Sequence, residues 1–485
     1  MKATNLFLLL SSTLSRTSTN LATAASLINR KAATTTTPSL FRSPPPLSPS
    51  SFVSARGFRD DTFSKPPPSI GKRWIRPDSA TPSEWEAPSF AFAFDIDGVL
   101  LHERAPLPGA AQTLALLDYY HIPFILLTNG GGKFEADRVA ELNEKLGSNM
   151  TTDNFCQSHT PFQELLPEYR DKTILVTGSD YEKCREIMEG YGFRSVVTPG
   201  DIFRAAPEVF PFDTVRGGEV GRELPKPLWK PRERKGLRGD DEAGGKTVLM
   251  GGKKGGEGEE GEGEEKRLED HLKIDAMFVL NDPRDWALDV QVFMDLLQSK
   301  QGYVGTYSEE NNRGNWQGDG QPKLFFSNSD LIWAAKYHLP RFGQGAFQHA
   351  LVGIWKEVTE GKKELVRTSF GKPHRETYEY AEEMLVRHRG EWLKMKGYGE
   401  EDIRGGLKRV YMVGDNPESD IAGANDYDGK GRYGTEWVSL LVETGVFDAA
   451  RMNFKDGDVR RADVVEKDVA DAVKWALRNE GWVDE

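Results

Sequence analysis

The chain has 485 residues, which predicts two or three domains, and its 63 lysine and arginine residues against 75 aspartate and glutamate residues give a net charge of −12. This acidic balance excludes a protein that coats nucleic acid by neutralising phosphates, so no nucleic-acid partner is expected. The two cysteines exclude a disulfide framework and a four-cysteine zinc site, and no apolar run is long enough to predict a transmembrane segment.

The first 60 residues differ sharply in composition from the rest. Residues 1–59 contain seven basic side chains and no acidic ones, in a background rich in Ser, Thr and Ala. This composition is typical of an organelle transit peptide, so we predict a mitochondrial transit peptide over residues 1–60 and a mature protein in the matrix. A secretory signal built on Leu6–Leu10 and a merely disordered tail are the alternatives. Residues 61–88 are rich in proline and predict a linker.

Regular structure is predicted from residue 89 onward. Phe90–Phe94 is a short apolar run that predicts a buried strand, and residues 108–120 predict a helix. Two further strands are predicted at Pro123–Leu127 and Phe155–Ser158. Strands alternating with helices at this spacing indicate a right-handed parallel α/β sheet of the Rossmann type, of which residues 89–170 form the first part.

Residues 171–365 predict a separate α/β unit, inserted into that core. Its predicted strands are Thr173–Val176, Ala276–Leu280 and Leu324–Ser327, and its clearest helix is Asp285–Leu297. Residues from about 215 to 267 are rich in Gly, Lys and Glu. Since such a segment buries little apolar surface, we predict a disordered, low-complexity insertion there.

The core pattern returns over residues 366–485. Strands are predicted at Arg409–Val413, Trp437–Val442 and Asp463–Val465, followed by a closing helix near Val469–Leu477. The sequence therefore predicts one α/β core split by the inserted unit.

Polar, chemically capable side chains follow three of the predicted core strands: Asp95 and Asp97, Thr128, and Asp415. Because ligands bind at the carboxyl ends of parallel strands, we expect these residues to converge on one crevice. One carboxylate can attack phosphorus while a second handles the leaving-group proton. Their charge requires a divalent cation, and oxygen ligands favour Mg²⁺; Lys372 supplies a further positive charge.

Four short segments, in chain order, resemble the four motifs of the haloacid dehalogenase superfamily: Asp95-Ile-Asp97-Gly98, Thr128-Asn129-Gly130, Gly371-Lys372-Pro373, and Gly414-Asp415 with Asp420. The insert between the second and third motifs resembles the large C2-type cap of the nitrophenylphosphatase-like subfamily. Asn281–Trp286, Phe326–Trp333 and Phe342–Ala346 further resemble the mitochondrial hydrolases of the cat-eye-syndrome-critical-region group. The resemblance covers about residues 90–480, apart from the low-complexity insertion.

The resemblance implies a role for each core residue. Asp95 would be the nucleophile that forms an aspartyl-phosphate, and Asp97 the general acid/base. Phosphate would be contacted by Thr128, Asn129, Gly130 and Lys372. The Mg²⁺ ion would be held by Asp95, by Asp97 through its backbone carbonyl, and by Asp415. Asp420 would help to hold either the metal or Lys372.

Candidate substrate contacts in the cap are Arg284 and its neighbours Asn281, Asp282 and Asp285. Turn and helix-cap chemistry before the helix at Trp286 is an equal alternative for these four residues. Gly130–Gly132 predicts either a loop that cradles an anion or a flexible turn.

The predicted function is a Mg²⁺-dependent hydrolase, a phosphatase of a small phosphorylated metabolite. A phosphatase of glycerophospholipid metabolism is one alternative, and a catalytically silent adaptor that binds phosphate or metal is another. The resemblance is also consistent with a homodimer formed through the cap.

Overall fold

The computed structural model describes residues 74–76, 88–102, 104–212, 221–230, 267–333, 337–395, 406–449, 452 and 454–484. The predicted transit peptide, most of the proline-rich linker and most of the predicted low-complexity insertion lie outside these residues. Within them, no helix combines the length and the apolar character needed to span a membrane.

The elements of the first core part are β1 (Phe90–Phe94), α1 (Ala110–Tyr119), β2 (Phe124–Leu127), α2 (Glu135–Leu146) and β3 (Phe155–Cys156). The inserted unit, here called the cap, contains β4 (Thr173–Thr177), α3 (Tyr181–Tyr191), β5 (Ser195–Val197), α4 (Pro199–Ala205), β6 (Ala276–Val279), α5 (Trp286–Leu297), β7 (Lys323–Phe326), β8 (Ile332–Trp333), β9 (Arg341–Phe342), α6 (Gln344–Val358) and β10 (Thr368–Ser369). The second core part contains α7 (Arg375–Met395), β11 (Arg409–Gly414), α8 (Ala422–Tyr427), β12 (Glu436–Val442), β13 (Val464–Glu466) and α9 (Val469–Asn479).

The core is a six-stranded parallel sheet in the order β13-β12-β11-β1-β2-β3. Strand β1 alternates phenylalanine and alanine, so its two faces differ. Phe90, Phe92 and Phe94 pack with α1, α2 and α9 on one face, whereas Ala91 and Ala93 pack with α7 and α8 on the other. Since all five residues are buried, β1 is the central strand of a three-layer core, as its apolar run predicts.

The cap has its own five-stranded parallel sheet, in the order β10-β7-β6-β4-β5. Its helices also cover both faces: α4, α5 and α6 pack on one side and α3 on the other. Helix α3 begins where the Asp180 side chain accepts a hydrogen bond from Lys183 N–H and ends at Gly192, whose φ of 109° suits glycine. The predicted Rossmann-like core with an inserted α/β cap is therefore confirmed.

Several details of the cap differ from the sequence predictions, including strand β5, which is not among the predicted strands. Strand β10 lies beyond residue 365 but pairs with Phe325 and Phe326 of β7, so the cap sheet extends to Ser369. Its two polar residues carry no apolar signal that would place them in a sheet.

Part of the predicted insertion is also ordered. Residues 221–230 lie against the cap, where Leu224 and Leu228 pack on its core, and Leu272 N–H donates to Pro227 O at 2.8 Å. These two leucines supply the apolar surface that the surrounding Gly/Lys/Glu composition lacks.

Candidate active site

Three carboxylates meet at the carboxyl end of the core sheet. Strands β1 and β11 are neighbours, and Asp95 N–H donates to Val413 O at 2.9 Å, which sets Asp95 beside the end of β11. Each of Asp95, Asp415 and Asp420 is buried and offers an oxygen atom within 4.8 Å of the other two. The expected convergence of strand ends therefore produces a compact cluster of hard oxygen donors.

Lys372 is the cation that faces this cluster. Its Nζ lies 2.6 Å from Asp95 Oδ1 and 2.6 Å from Asp420 Oδ1, and the lysine is buried. Burial alone would lower the pKa of Lys372, but Asp420 and Asp95 outweigh that effect and raise it, so the ammonium stays charged. This agrees with the alternative in which Asp420 supports the lysine.

Burial and the neighbouring carboxylates raise the pKa values of Asp95 and Asp415. Burial raises the pKa of Asp95 well above its ordinary value, Lys372 opposes that rise, and Asp420 and Asp415 add to it. Burial, followed by the nearby charge of Asp420, raises the pKa of Asp415 to about 6. Three carboxylates against one ammonium leave a surplus of two negative charges when all are ionised, which is an arrangement suited to a divalent cation.

Asp415 is held in a cradle made of backbone. Its Oδ2 accepts a hydrogen bond from Val446 N–H at 2.6 Å, in the loop after β12. A Cβ atom added at Gly98 would lie 2.5 Å from Asp415 Oδ2, and one added at Gly445 would lie 1.9 Å from it. Gly98 also has φ +92°, so both close approach and backbone conformation require glycine there.

Asp97 lies outside the carboxylate cluster. It is exposed, and the chain turns around it, with Leu101 N–H donating to Ile96 O at 2.9 Å and Gly98 N–H donating to Leu101 O at 2.7 Å. The extended strand that precedes Asp95 therefore does not continue to Asp97. Its acid/base role stays a prediction, as does the metal contact of its backbone carbonyl.

The Thr128–Gly130 segment, which follows β2, lies beside the backbone of Lys372. Thr128 Oγ1 accepts a hydrogen bond from Gly130 N–H at 3.1 Å, which closes a tight turn at the strand end. The Asn129 side chain bonds to both the N–H and the carbonyl of Lys372, and its expected contact with phosphate stays a prediction. Its Oδ1 accepts from Lys372 N–H at 2.7 Å and its Nδ2 donates to Lys372 O at 2.9 Å.

The glycine loop after Gly130 is fixed by a hydrogen-bond chain rather than left open. Gly132 N–H donates to His159 Nε2 at 3.1 Å, so the imidazole proton is on Nδ1, which lies 2.7 Å from the Tyr191 hydroxyl. That hydroxyl donates in turn to Glu135 at the start of α2. Burial lowers the pKa of His159 to about 4, with partial opposition from Glu135, which keeps the ring neutral. Tyr191 belongs to the cap, so the chain joins cap to core.

A second contact between cap and core lies beside Lys372. Asp330, after β7, accepts a hydrogen bond from Asn129 Nδ2 at 3.1 Å, and Asn328 Nδ2 donates to Asn129 O at 3.3 Å. Ser329 Oγ lies 2.7 Å from His374 Nε2. The segment 328–330 therefore closes over the Asn129–Lys372 pair.

The four candidate cap residues divide between packing and capping. Asn281 accepts from Ser179 N–H at 2.6 Å and lies against Gly132, while Asp285 caps α5 by accepting from Leu288 N–H at 3.3 Å. Exposed Arg284 donates to Asp282 O at 3.2 Å. For Asp285 the helix-cap alternative is the one observed, and a substrate contact of Arg284 stays a prediction.

Sequence reasoning missed Gly445, Val446, His159 and the segment 328–330. The first three could have been found by the same rule that found Asp95, because they follow the ends of β12 and β3 in the same sheet. Residues 328–330 follow a strand of the cap, so they could be placed at the site only once the orientation of the cap on the core was known.

The chain matches two family models. One, described as haloacid dehalogenase-like hydrolase, matches residues 92–194, and one described as HAD-hydrolase-like matches residues 369–472. A protein of Saccharomyces cerevisiae named as a mitochondrial hydrolase is 32% identical over 84% of this chain and 99% of its own length. The chain belongs to the haloacid dehalogenase-like hydrolases.

Two further proteins are also similar to this chain. A Schizosaccharomyces pombe fusion protein, named cardiolipin synthase (CMP-forming) / mitochondrial hydrolase, is 36% identical over 80% of this chain and 53% of its own length. The chain thus spans about half the length of that relative. Among solved structures, the magnesium complex of a glycerol phosphate phosphatase from Mycobacterium tuberculosis aligns with a TM-score of 0.41 and 17% identity, over 81% of this chain and 78% of that one.

Proposed function

We propose that this hydrolase is a Mg²⁺-dependent phosphatase of a small phosphorylated metabolite. The observation that carries the proposal is the position of Asp95: a buried carboxylate at a strand end, paired with Lys372 and clustered with Asp415 and Asp420. Family membership supports hydrolysis, and the pairing of a carboxylate nucleophile with a fixed cation suits transfer of an anionic group such as phosphoryl.

The proposed reaction has two displacements at phosphorus. In the first, Asp95 Oδ2 attacks, a phosphorus–oxygen bond to Asp95 forms, and the bond to the leaving alcohol breaks as Asp97 gives that oxygen a proton. In the second, water attacks the aspartyl-phosphate, Asp97 takes a proton from it, and inorganic phosphate leaves with Asp95 restored. Lys372 Nζ, held by Asp420, stabilises negative charge on the transferring group.

The residues present fit a magnesium ion. Asp95 and Asp415 would hold it, and Asp420 is close enough to contribute, because their oxygen atoms lie within 4.8 Å of one another and all are carboxylates. When bound, Mg²⁺ supplies electrostatic stabilisation of phosphate oxygens. The raised pKa of Asp415 reflects burial beside other acids, which is the charge imbalance that such an ion would correct.

We further propose that the protein acts in mitochondria, in the matrix. Support comes from the basic, acid-free residues 1–59 and from two relatives that are named mitochondrial hydrolases. A second candidate substrate is a phosphomonoester of glycerophospholipid metabolism, which the fusion of one relative to a cardiolipin synthase favours.

The test is phosphate release from a panel of phosphomonoesters that includes soluble metabolites and glycerophospholipid-derived phosphates, with Mg²⁺ and with chelator. We expect release that needs Mg²⁺ and is lost in Asp95→Asn, while the surface variant Asp426→Asn, with its side chain 69% exposed, keeps wild-type rates. Wild-type rates in Asp95→Asn would refute the mechanism. Silence across the panel together with metal-dependent phosphate binding would favour the adaptor alternative.

A further inference from the structure

The cap carries a cluster of exposed apolar side chains around its small hairpin β8–β9. The members are between 44% and 71% exposed, and we call them the apolar hairpin surface: Leu331, Ile332, Trp333, Tyr337, Leu339 and Phe342. Large apolar side chains usually lie inside a folded protein, and a contiguous exposed group of them marks a contact surface.

Both faces of the hairpin are exposed. Ile332 pairs in register with Phe342 and Trp333 with Arg341, so the first pair projects from one face and the second from the other. All four residues are exposed, although the Phe342 ring approaches Trp286 of α5 at 6.4 Å. A flat protein partner would cover one face of such a ribbon, whereas a fluid surface can surround it.

The hairpin and most of the helix that follows it carry basic but no acidic residues. No Asp or Glu occurs from residue 331 to 356, although the protein carries a net charge of −12. Arg341 is exposed, and its guanidinium lies 4.7 Å from the ring of Tyr337. Trp, Tyr and Phe next to basic residues are the composition of segments that lie in the polar interface of a bilayer with anionic lipids.

The hairpin begins beside the candidate active site. Asp330, the residue before the apolar hairpin surface, accepts a hydrogen bond from Asn129. Gly343, the residue after it, donates its N–H to Leu331 O at 3.0 Å and so closes the base of the hairpin. A partner of the apolar hairpin surface would thus lie next to the cap segment that covers Lys372.

From these observations, we propose that the apolar hairpin surface docks on an anionic lipid bilayer. The proposal goes beyond phosphatase chemistry and does not depend on it. A second copy of the chain fits less well, because a two-fold contact centred on the hairpin would bring Arg341 near its own counterpart.

The experiment uses the full chain and a single introduced thiol. Cys156 and Cys184 are buried, so an environment-sensitive thiol dye labels Leu339→Cys selectively. We expect a blue shift of its emission on adding phosphatidylcholine vesicles that contain phosphatidylglycerol, and little shift with phosphatidylcholine alone. The control is Val459→Cys, at an equally exposed apolar residue of the core, which should not shift. The basic residues 1–59 are common to both variants, so their own affinity for lipid does not affect the comparison. No shift at position 339, or equal shifts at both positions, would overturn the proposal.

A second measurement separates the other occupants. Combining Trp333→Ser with Phe342→Ser should lower the bound-to-free ratio in vesicle sedimentation about tenfold. Arg341→Gln should lower that ratio about fivefold on anionic vesicles only. Phe212→Ser, at another exposed aromatic residue, is the control and should leave the ratio unchanged. Hydrolysis of a soluble phosphomonoester should be unchanged. A raised KM with unchanged vesicle binding would assign the surface to substrate, and loss of a dimer with unchanged vesicle binding would assign it to a second copy; either result overturns the proposal.

Discussion

Asn129 and Lys372 exchange two hydrogen bonds across 243 residues of sequence, with the Asn129 amide accepting from the Lys372 N–H and donating to its carbonyl. The same amide nitrogen donates to Asp330 of the cap. One side chain from the second motif therefore fixes the backbone that carries the cation and also contacts the cap, which makes Asn129 a positioning residue.

Replacing Asn129 by alanine should lower kcat more than it raises KM. The change leaves the Lys372 N–H and carbonyl without their partners and frees the ammonium to move from Asp95. A misplacement of about 1 Å at a reacting group can lower the rate about a hundredfold, so we expect a loss of kcat of that order. Steady-state kinetics on a phosphomonoester that the wild type hydrolyses measures this loss of kcat.

Asn154→Ala is the matched control. Asn154 also bonds to backbone, donating to Phe124 O at 3.1 Å, but both residues lie at the amino ends of their strands, at the opposite edge of the sheet from the candidate site. We expect Asn129→Ala and Asn154→Ala to lose similar amounts of folding stability, about 1–3 kcal/mol, but only Asn154→Ala to retain kcat. Equal losses of kcat in both variants would contradict the positioning role.

Removing the Lys372 charge should damage both activity and folding. Lys372→Met leaves Asp95 and Asp420 buried without their counter-ion, and breaking such a buried pair costs about 3–5 kcal/mol. Thermal unfolding with and without Mg²⁺ should show a larger stabilisation by the metal in this variant than in wild type. The exposed lysine variant Lys430→Met should change stability by less than about 1 kcal/mol, and equal effects of the two would argue against this account.

An alanine at Gly98 should disrupt the cradle of Asp415. Its Cβ would lie 2.5 Å from Asp415 Oδ2, on a backbone with φ +92°. We expect about 3 kcal/mol or more of lost stability and weaker Mg²⁺ binding, measured by urea unfolding and calorimetric titration. Gly457→Ala, at φ +82° with nothing within 4 Å, separates backbone strain from the clash and should lose only about 1–2 kcal/mol with metal binding intact. Similar metal affinities in the two variants would exclude the clash as the cause.

His159 should make folding sensitive to acid. Its pKa falls from an ordinary value of about 6.5 to about 4 in the folded state, so below pH 6.5 the unfolded chain binds more protons and stability decreases until about pH 4. The full effect is about 3 kcal/mol. Urea unfolding at a series of pH values should show a shallower dependence for His159→Gln than for wild type; parallel curves would contradict the assignment.

Most strands of both sheets could be predicted closely from the sequence because buried parallel strands are continuous apolar runs with polar ends, although the short strand β5 is not predicted. Phe90–Phe94 matches its prediction, and the strand predicted at Ala276–Leu280 is observed at Ala276–Val279. Strand β10 escaped prediction because Thr368 and Ser369 join the sheet only through backbone hydrogen bonds to a strand more than forty residues away.

For the candidate site, residue position could be predicted but side-chain direction could not. Asp95 and Asp415 converge because parallel strand ends must meet at one edge. Asp97 is exposed beside the cluster because the backbone turns at Gly98, and Asn129 bonds to Lys372 because the chain returns from the cap next to it. Both outcomes depend on tertiary contacts that no local pattern records.

Only Phe370 and Gly371 separate the last cap strand from Lys372. Phe370 is buried, with its ring 5.2 Å from that of Phe162. The link between cap and core therefore also carries the Lys372 ammonium, so a rotation of the cap sheet would move that ammonium relative to Asp95. We therefore expect a substitution that loosens the packing of Phe370 to change the distance between Lys372 Nζ and Asp95 Oδ1 as well as the position of the cap.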